Sequence, residues 1–289
     1  MEHLIAPYLT GSHADNVNRV VEKRWLGKCE RKPWEYEVTA TFAHLETPEL
    51  VPYVIGCLRH QSVRPYIIIV DTGSSRQTLG ELEKYRAEDV EIHHIRSHGY
   101  RHPSMPVSAA CDLALTLTQT EYLFWTHVDC FLRNRDYLKM TRDLCDAATP
   151  VVGYEISPRD DQTTDWHGMV GHTATMTHKP SLDRLGVTWS VERAHHQFGV
   201  PRNSEMTGGW PDTESTLGYI LRAAGIEPKL IGHDVNRQRQ KDENIDHCRS
   251  FPGSKLYAAD GEANYHHEAK GWIFDALTEA QERINQWQS

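Results

Sequence analysis

The run Tyr66–Val70, "YIIIV", is apolar at every position. Strands of that kind are covered on both faces, as in a parallel sheet with helices on either side. The run ends in Asp71, Gly73, Ser74 and Ser75. A polar turn therefore stands at the carboxyl end of a buried strand, where open α/β sheets bind ligands. Gly73 suits a sharp turn, and Ser74 or Ser75 suits a helix cap. Upstream, "YEVTATFAH" from Tyr36 to His44 alternates as a first strand. Thr47 and Pro48 read as a helix start. Leu50, Val51, Val54, Ile55 and Leu58 carry helical spacing through to His60, with Pro52 weakening the first turns. Strand, helix and strand make a βαβ unit.

The order repeats. "LGELEKYRAEDV" predicts a helix, "VEIHHIRS" a short strand and "SMPVSAACDLALTLTQT" a helix rich in small residues. "EYLFWTHVDCF" predicts a strand ending in polar residues, "NRDYLKMTRDLCDAA" a helix and "PVVGYEI" a strand. The expected fold is α/β, with a mostly parallel central sheet flanked by helices. After Ser157 the chain becomes loop-rich, with strand-like pieces from Met169 to Thr177. A Gly-rich loop then leads into a helix starting near Asp212. Ile273, Leu277, Ala280, Ile284 and Trp287 mark an amphipathic C-terminal helix whose expected role is docking on the body. The layout divides into an extension (1–36), a first half (37–156), a second half (157–250) and a C-terminal segment (251–289).

Composition narrows the classes. The 289 residues carry a net charge of −9, which argues against a broad basic surface for nucleic acid or anionic lipid. No apolar run approaches the roughly 20 residues of a membrane span. No secretory signal is visible, so a cytoplasmic location is expected. Six cysteines lie far apart with no C-x-x-C, as in a reduced protein with mostly buried thiols. Eighteen histidines is a high count, and none shows structural-zinc spacing.

Three predicted strand ends gather polar groups: Thr41 to His44, Asp71, and His127 to Asp129 in "FWTHVDCF". Alternation along a strand would put His127 and Asp129 on one side, where imidazole and carboxylate can hold a divalent ion against phosphate oxygens. At this point the sequence resembles the family 2 glycosyltransferases of the GT-A fold. "PELVPYVIGCLRHQSVRPYIIIVDTGSS" resembles the family's opening helix and the strand ending in its nucleotide site. "SAACDLALTLTQTEYLFWTHVDCFLRNRDYL" resembles the segment leading into its Asp-x-Asp metal motif. "GGWPDTESTLGYILRAAGIEPKLIG" resembles its acceptor loop and Glu-Asp helix start.

The resemblance implies a single domain with a Rossmann-like nucleotide-binding half and an acceptor half. It implies an inverting transfer from a nucleotide-diphosphate sugar, expected to be a uridine diphosphate sugar, with Mn2+ or Mg2+ as cofactor. Asp71 would contact the base or ribose, with Thr41, Gly73, Ser74, His127 and Arg237 also around the donor. Asp129 and His127 would hold the metal, joined by a late histidine, His233 first and His247 second. Asp212 would take the acceptor proton. Glu214 stands in reserve, two residues into the helix and expected to point elsewhere. His127 replaces the motif's first aspartate and Pro211 its glutamate; an imidazole ligand shifts preference from Mg2+ toward Mn2+.

Arg237, Arg239 and Lys241 would close over phosphates or form a solvated charge run. Trp210 would stack on an acceptor or pack in its loop. Loops around 100–105 and 155–175 would select the sugar. The acceptor would be a glycan, a protein or a small molecule, with modified phage-type DNA a minority case. Two other classes fit less well. A sugar nucleotidyltransferase needs a Gly-rich basic loop after the first strand, which "TATFAHLETPEL" lacks. A non-catalytic nucleotide- or glycan-binding module is opposed by Asp71, Asp129 and Asp212.

Overall fold

The computed structural model describes residues 33–95, 104–156, 167–200, 213–233, 239–248 and 264–289. β1 (Val38–His44), β2 (Tyr66–Asp71) and β3 (Val90–His94) are joined through α1 (Val51–Arg59) and α2 (Arg76–Leu82). α3 (Ser104–Leu117) leads into β4 (Tyr122–Trp125), and a turn leads to β5 (Cys130–Leu132). Then come α4 (Tyr137–Asp143), β6 (Val151–Glu155), β7 (Thr175–His178), α5 (Lys179–Leu185) and α6 (Val191–Phe198). α7 (Thr213–Ala223), β8 (Lys229–His233), β9 (Gln240–Lys241), β10 (Ile245–His247) and α8 (Asn264–Gln288) complete the order.

Seven strands form one sheet in the order β3-β2-β1-β4-β7-β6-β8, and β5-β10-β9 form a second. β3, β2, β1 and β4 run parallel, as do β6 and β8, while β7 is antiparallel to both β4 and β6. The sheet is thus mostly parallel, as expected, but β7 interrupts it between β4 and β6.

The apolar run of β2 is explained by two cores. Ile67 and Ile69 enter the layer that contains Val54, Ile55 and Leu58 of α1 and Ile273, Ala280 and Ile284 of α8. Tyr66, Ile68 and Val70 enter the layer that contains Leu113 of α3 and Leu217 and Ile220 of α7. Helix α1 begins at Val51 rather than after Thr47, and Pro52 sits in its first turn. Its missing N–H costs nothing there, so it starts the helix instead of weakening it. Ser75 caps α2, accepting from Thr78 N. The C-terminal face docks as expected, with Ile273, Ala280 and Ile284 buried and Leu277 and Trp287 packed against the same core. Among the described residues, no helix is long and apolar enough to cross a membrane.

Candidate active site

Register lines up the carboxyl ends of three parallel strands: His44 lies opposite Asp71, and Asp71 opposite His94. Asp71 is buried. Its Oδ1 accepts from Gly73 N and Ser74 N, each at 3.0 Å. Its Oδ2 accepts from Ser74 Oγ at 2.5 Å and lies 2.9 Å from His44 Nδ1. A carboxylate offers about four lone-pair positions, and these four contacts occupy them. Asp71 therefore ties the turn together from within. Burial opposes its charge, but His44, His94 and Ser74 outweigh that and hold it well below the usual carboxylate range.

Gly73 has φ +111°, open to glycine and strained for other residues. Ser74 Oγ also accepts from Glu46 N at 2.9 Å. The Glu46 carboxylate accepts from Ser75 N and from Thr78 Oγ1, clamping the turn onto α2. Thr41 is buried in β1, and its carbonyl accepts from Thr126 N at 3.0 Å. It thereby fixes where the chain leaves β4.

His127 and Asp129 are not on a strand. β4 ends at Trp125, and the chain turns there, closed by Cys130 N donating to the His127 carbonyl at 3.1 Å. What gathers their side chains is the second sheet. β10 pairs antiparallel with β5, setting His247 opposite Cys130, and Cys248 N donates to the Asp129 carbonyl at 2.9 Å. His247 Nε2 then lies 3.5 Å from Asp129 Oδ1. Its ring stands edge-on to His127, centroids 5.1 Å apart. Both His247 ring nitrogens are buried without a hydrogen bond among the described residues. Such groups call for a partner, and ligand atoms of His127, Asp129 and His247 lie within 4.8 Å of one another. The three side chains fit a divalent cation, and two imidazoles with one carboxylate suit Mn2+ better than Mg2+.

His233, the first choice from sequence, lies elsewhere. It is 82% exposed and pairs with Glu155, Nδ1 to Oε2 at 2.5 Å. The structure brings His247, the second choice, to Asp129. Arg239 and Lys241 do not form an open charge run either. Arg239 makes two contacts to the buried Asp246, at 2.7 and 2.6 Å, and Lys241 reaches Glu279 of α8 at 2.7 Å. These cations pin β9 and β10 to each other and to α8. Asp212, Trp210, Pro211 and Arg237 lie outside the described residues.

Glu214, expected to point away, faces His127. Its Oε2 is 3.4 Å from His127 Nε2 and 3.2 Å from His172 Nδ1. Thr173 N donates to Oε1 at 3.0 Å. A Cβ at Gly171 would overlap the Glu214 carboxylate, so the glycine makes room for it. Burial opposes the charge on Glu214, but His172, His127 and Thr173 outweigh it and hold the carboxyl well below its usual range. His172 escaped the sequence reading altogether. Its signal was slight: a histidine between Gly171 and the small residues of "TAT" before a strand.

The family described as Glycosyl transferase family 2 matches residues 42–205, more than half of the chain. The chain belongs to the family 2 glycosyltransferases. The match covers the Asp71 turn, the His127–Asp129 turn and His172, and stops before Glu214 and His247. Its sheet flanked by helices is the GT-A arrangement. No curated protein matches the sequence. Among solved structures, Staphylococcus aureus TarS 1–349 with UDP-GlcNAc is 14% identical, TM-score 0.39, over 53% of this chain and 48% of that one. This chain thus spans about half the length of that TarS chain. The mannosyltransferase PcManGT from Pyrobaculum calidifontis, with GDP-Man and Mn2+, is 16% identical, TM-score 0.44, over 98% of this chain and 85% of that one. The galactosyltransferase LgtC is 12% identical, TM-score 0.43, over 64% of this chain and 70% of that one.

Proposed function

We propose that this family 2 enzyme transfers a sugar, with inversion, from a uridine diphosphate sugar to an acceptor hydroxyl. The observation that carries the reading is the buried pair Asp129–His247 beside His127, with both His247 nitrogens lacking a hydrogen bond among the described residues. Asp129, His127 and His247 would hold the divalent cation, here Mn2+ in preference to Mg2+. When bound, that cation offsets the negative charge that builds on the departing diphosphate.

The other groups belong to the chain. The Asp71 turn shapes the donor loop, so the donor contacts expected of Thr41, Gly73 and Ser74 depend on Asp71 holding that loop. Proton acceptance falls to Glu214 in preference to Asp212. Its ionised carboxylate faces His127 and is fixed from behind by Thr173 N. A carboxylate base takes the acceptor proton as the new bond forms, and attack in line with the departing diphosphate inverts the anomeric centre. The acceptor is expected to be a glycan, a protein or a small molecule.

The reading is tested by release of uridine diphosphate from candidate donors, with Mn2+ or Mg2+. Turnover that is supported by Mn2+ and falls steeply in His247→Ala is the expected result. Equal turnover with both metals, or in His247→Ala, would count against it.

A further inference from the structure

His127 belongs to two ligand sets. One is the triad with Asp129 and His247; the other is His127, His172 and Glu214, whose ligand atoms also lie within 4.8 Å of one another. The contacts in the second set are His127 Nε2 to His172 Nε2 at 3.1 Å, His127 Nε2 to Glu214 Oε2 at 3.4 Å, and His172 Nδ1 to Glu214 Oε2 at 3.2 Å. Ligands bound to zinc at about 2.0–2.1 Å stand roughly 3.0–3.4 Å from one another. His172 turns one nitrogen to His127 and the other to Glu214, and with one atom from each residue the set spans no more than 4.8 Å, so a modest turn of the His172 ring closes it on an ion.

The loop carrying His172 is built to hold this arrangement. Ala174 has φ 49°, a left-handed backbone in a fully buried non-glycine residue. Strain of this kind persists where the surroundings over-determine it. Here Tyr137 Oη donates to the Ala174 carbonyl at 2.6 Å, and Thr175 Oγ1 donates to the Gly171 carbonyl at 2.9 Å. Thr173 N and the missing Cβ of Gly171 seat the Glu214 carboxylate. Outer contacts of this sort orient metal ligands.

We propose that His127, His172 and Glu214 form a second cation site, one that takes Zn2+. Two imidazoles and one carboxylate make a donor set that Zn2+ favours over Mg2+. Because His127 is common to both sets, the second ion draws a ligand away from the first. In a clause that rests on the proposed function, Zn2+ here also occupies Glu214 and so inhibits transfer, with Mn2+ opposing it.

The test is equilibrium dialysis against Zn2+ alone, with bound metal counted by mass spectrometry. The Asp129→Asn/His247→Ala double variant removes the other set. It is expected to retain one Zn2+ per chain, and adding His172→Ala is expected to weaken that binding at least about 10-fold. Far-UV circular dichroism checks that each variant is folded. In the same double variant, Co2+ as a spectroscopic substitute is expected to give intense visible bands that Glu214→Gln abolishes. Zn2+ affinity unchanged by His172→Ala in the double variant would overturn the proposal, as would Co2+ bands that survive Glu214→Gln. No donor or acceptor enters these measurements, so their failure is separate from failure of the transferase reading.

Discussion

At the scale of the residue, two carboxylates in similar sequence settings carry different work. Asp71 ends a strand and spends its oxygens on Gly73, Ser74 and His44. Glu214 opens a helix and turns its Oε2 toward two histidines. Glu214→Gln is therefore expected to lower kcat by roughly 10²–10⁴-fold, the usual worth of a general base, with a smaller effect on KM. Steady-state kinetics on Glu214→Gln and Asp212→Asn decide between the two carboxylates, and a loss confined to Asp212→Asn would return the role to that residue. Asp71→Asn is expected to cost about 3 kcal/mol at neutral pH, since it breaks a buried charged network. The sign of the pH dependence follows from the depressed pKa of Asp71. Its contribution is present above the unfolded carboxyl pKa of about 4 and is lost as pH falls further below it. Urea melts of the natural and variant proteins should converge as the pH drops from 5 toward 2.

At the scale of the element, the site depends on a pairing the sequence reading did not foresee. It ran β4 through His127 and Asp129 as one strand, because "YLFW" is apolar and the polar residues that follow read as its end. The chain instead leaves the main sheet at Trp125 and re-enters β structure at Cys130 in a different sheet. No local pattern reports that switch. It rests on pairing with β10, more than a hundred residues later, and β10 is in turn fixed through Arg239, Asp246 and Glu279. The same distance hid His247 and favoured His233, whose position after an apolar strand was legible but whose partner Glu155 was not. The long helix α8 was legible from its spacing. It closes on α1 at Gly56, where a Cβ would fall 2.5 Å from Ile284 Cδ1. Ile284→Ala is expected to cost about 2–4 kcal/mol in denaturant unfolding. Gly56→Val should also destabilise, by forcing the two helices apart.

At the scale of the whole molecule, the alternation of strands and helices was legible through residue 156, because continuous apolar strands and amphipathic helices have distinct periods. β7 was not placed by that logic: it inserts antiparallel between β4 and β6, and the strand-like pieces from Met169 to Thr177 carried no sign of their place in the sheet. Among the described residues, the burial of the thiols follows the expectation. Cys57, Cys111, Cys130, Cys145 and Cys248 are free and buried. Burial pushes Cys57 and Cys145 each up to about 12. These five should resist a thiol reagent at pH 8 until denaturant is added, and rapid labelling of any of them in the native state would contradict the packing.

The whole account turns on one junction, where the His127–Asp129 turn of the main sheet meets His247 of the small one. Calorimetric titration of uridine diphosphate, with and without Mn2+, on the natural protein and on Asp129→Ala tests it most directly. The account expects binding that requires Mn2+ and is lost in the variant. Binding that persists without metal and without Asp129 would contradict it.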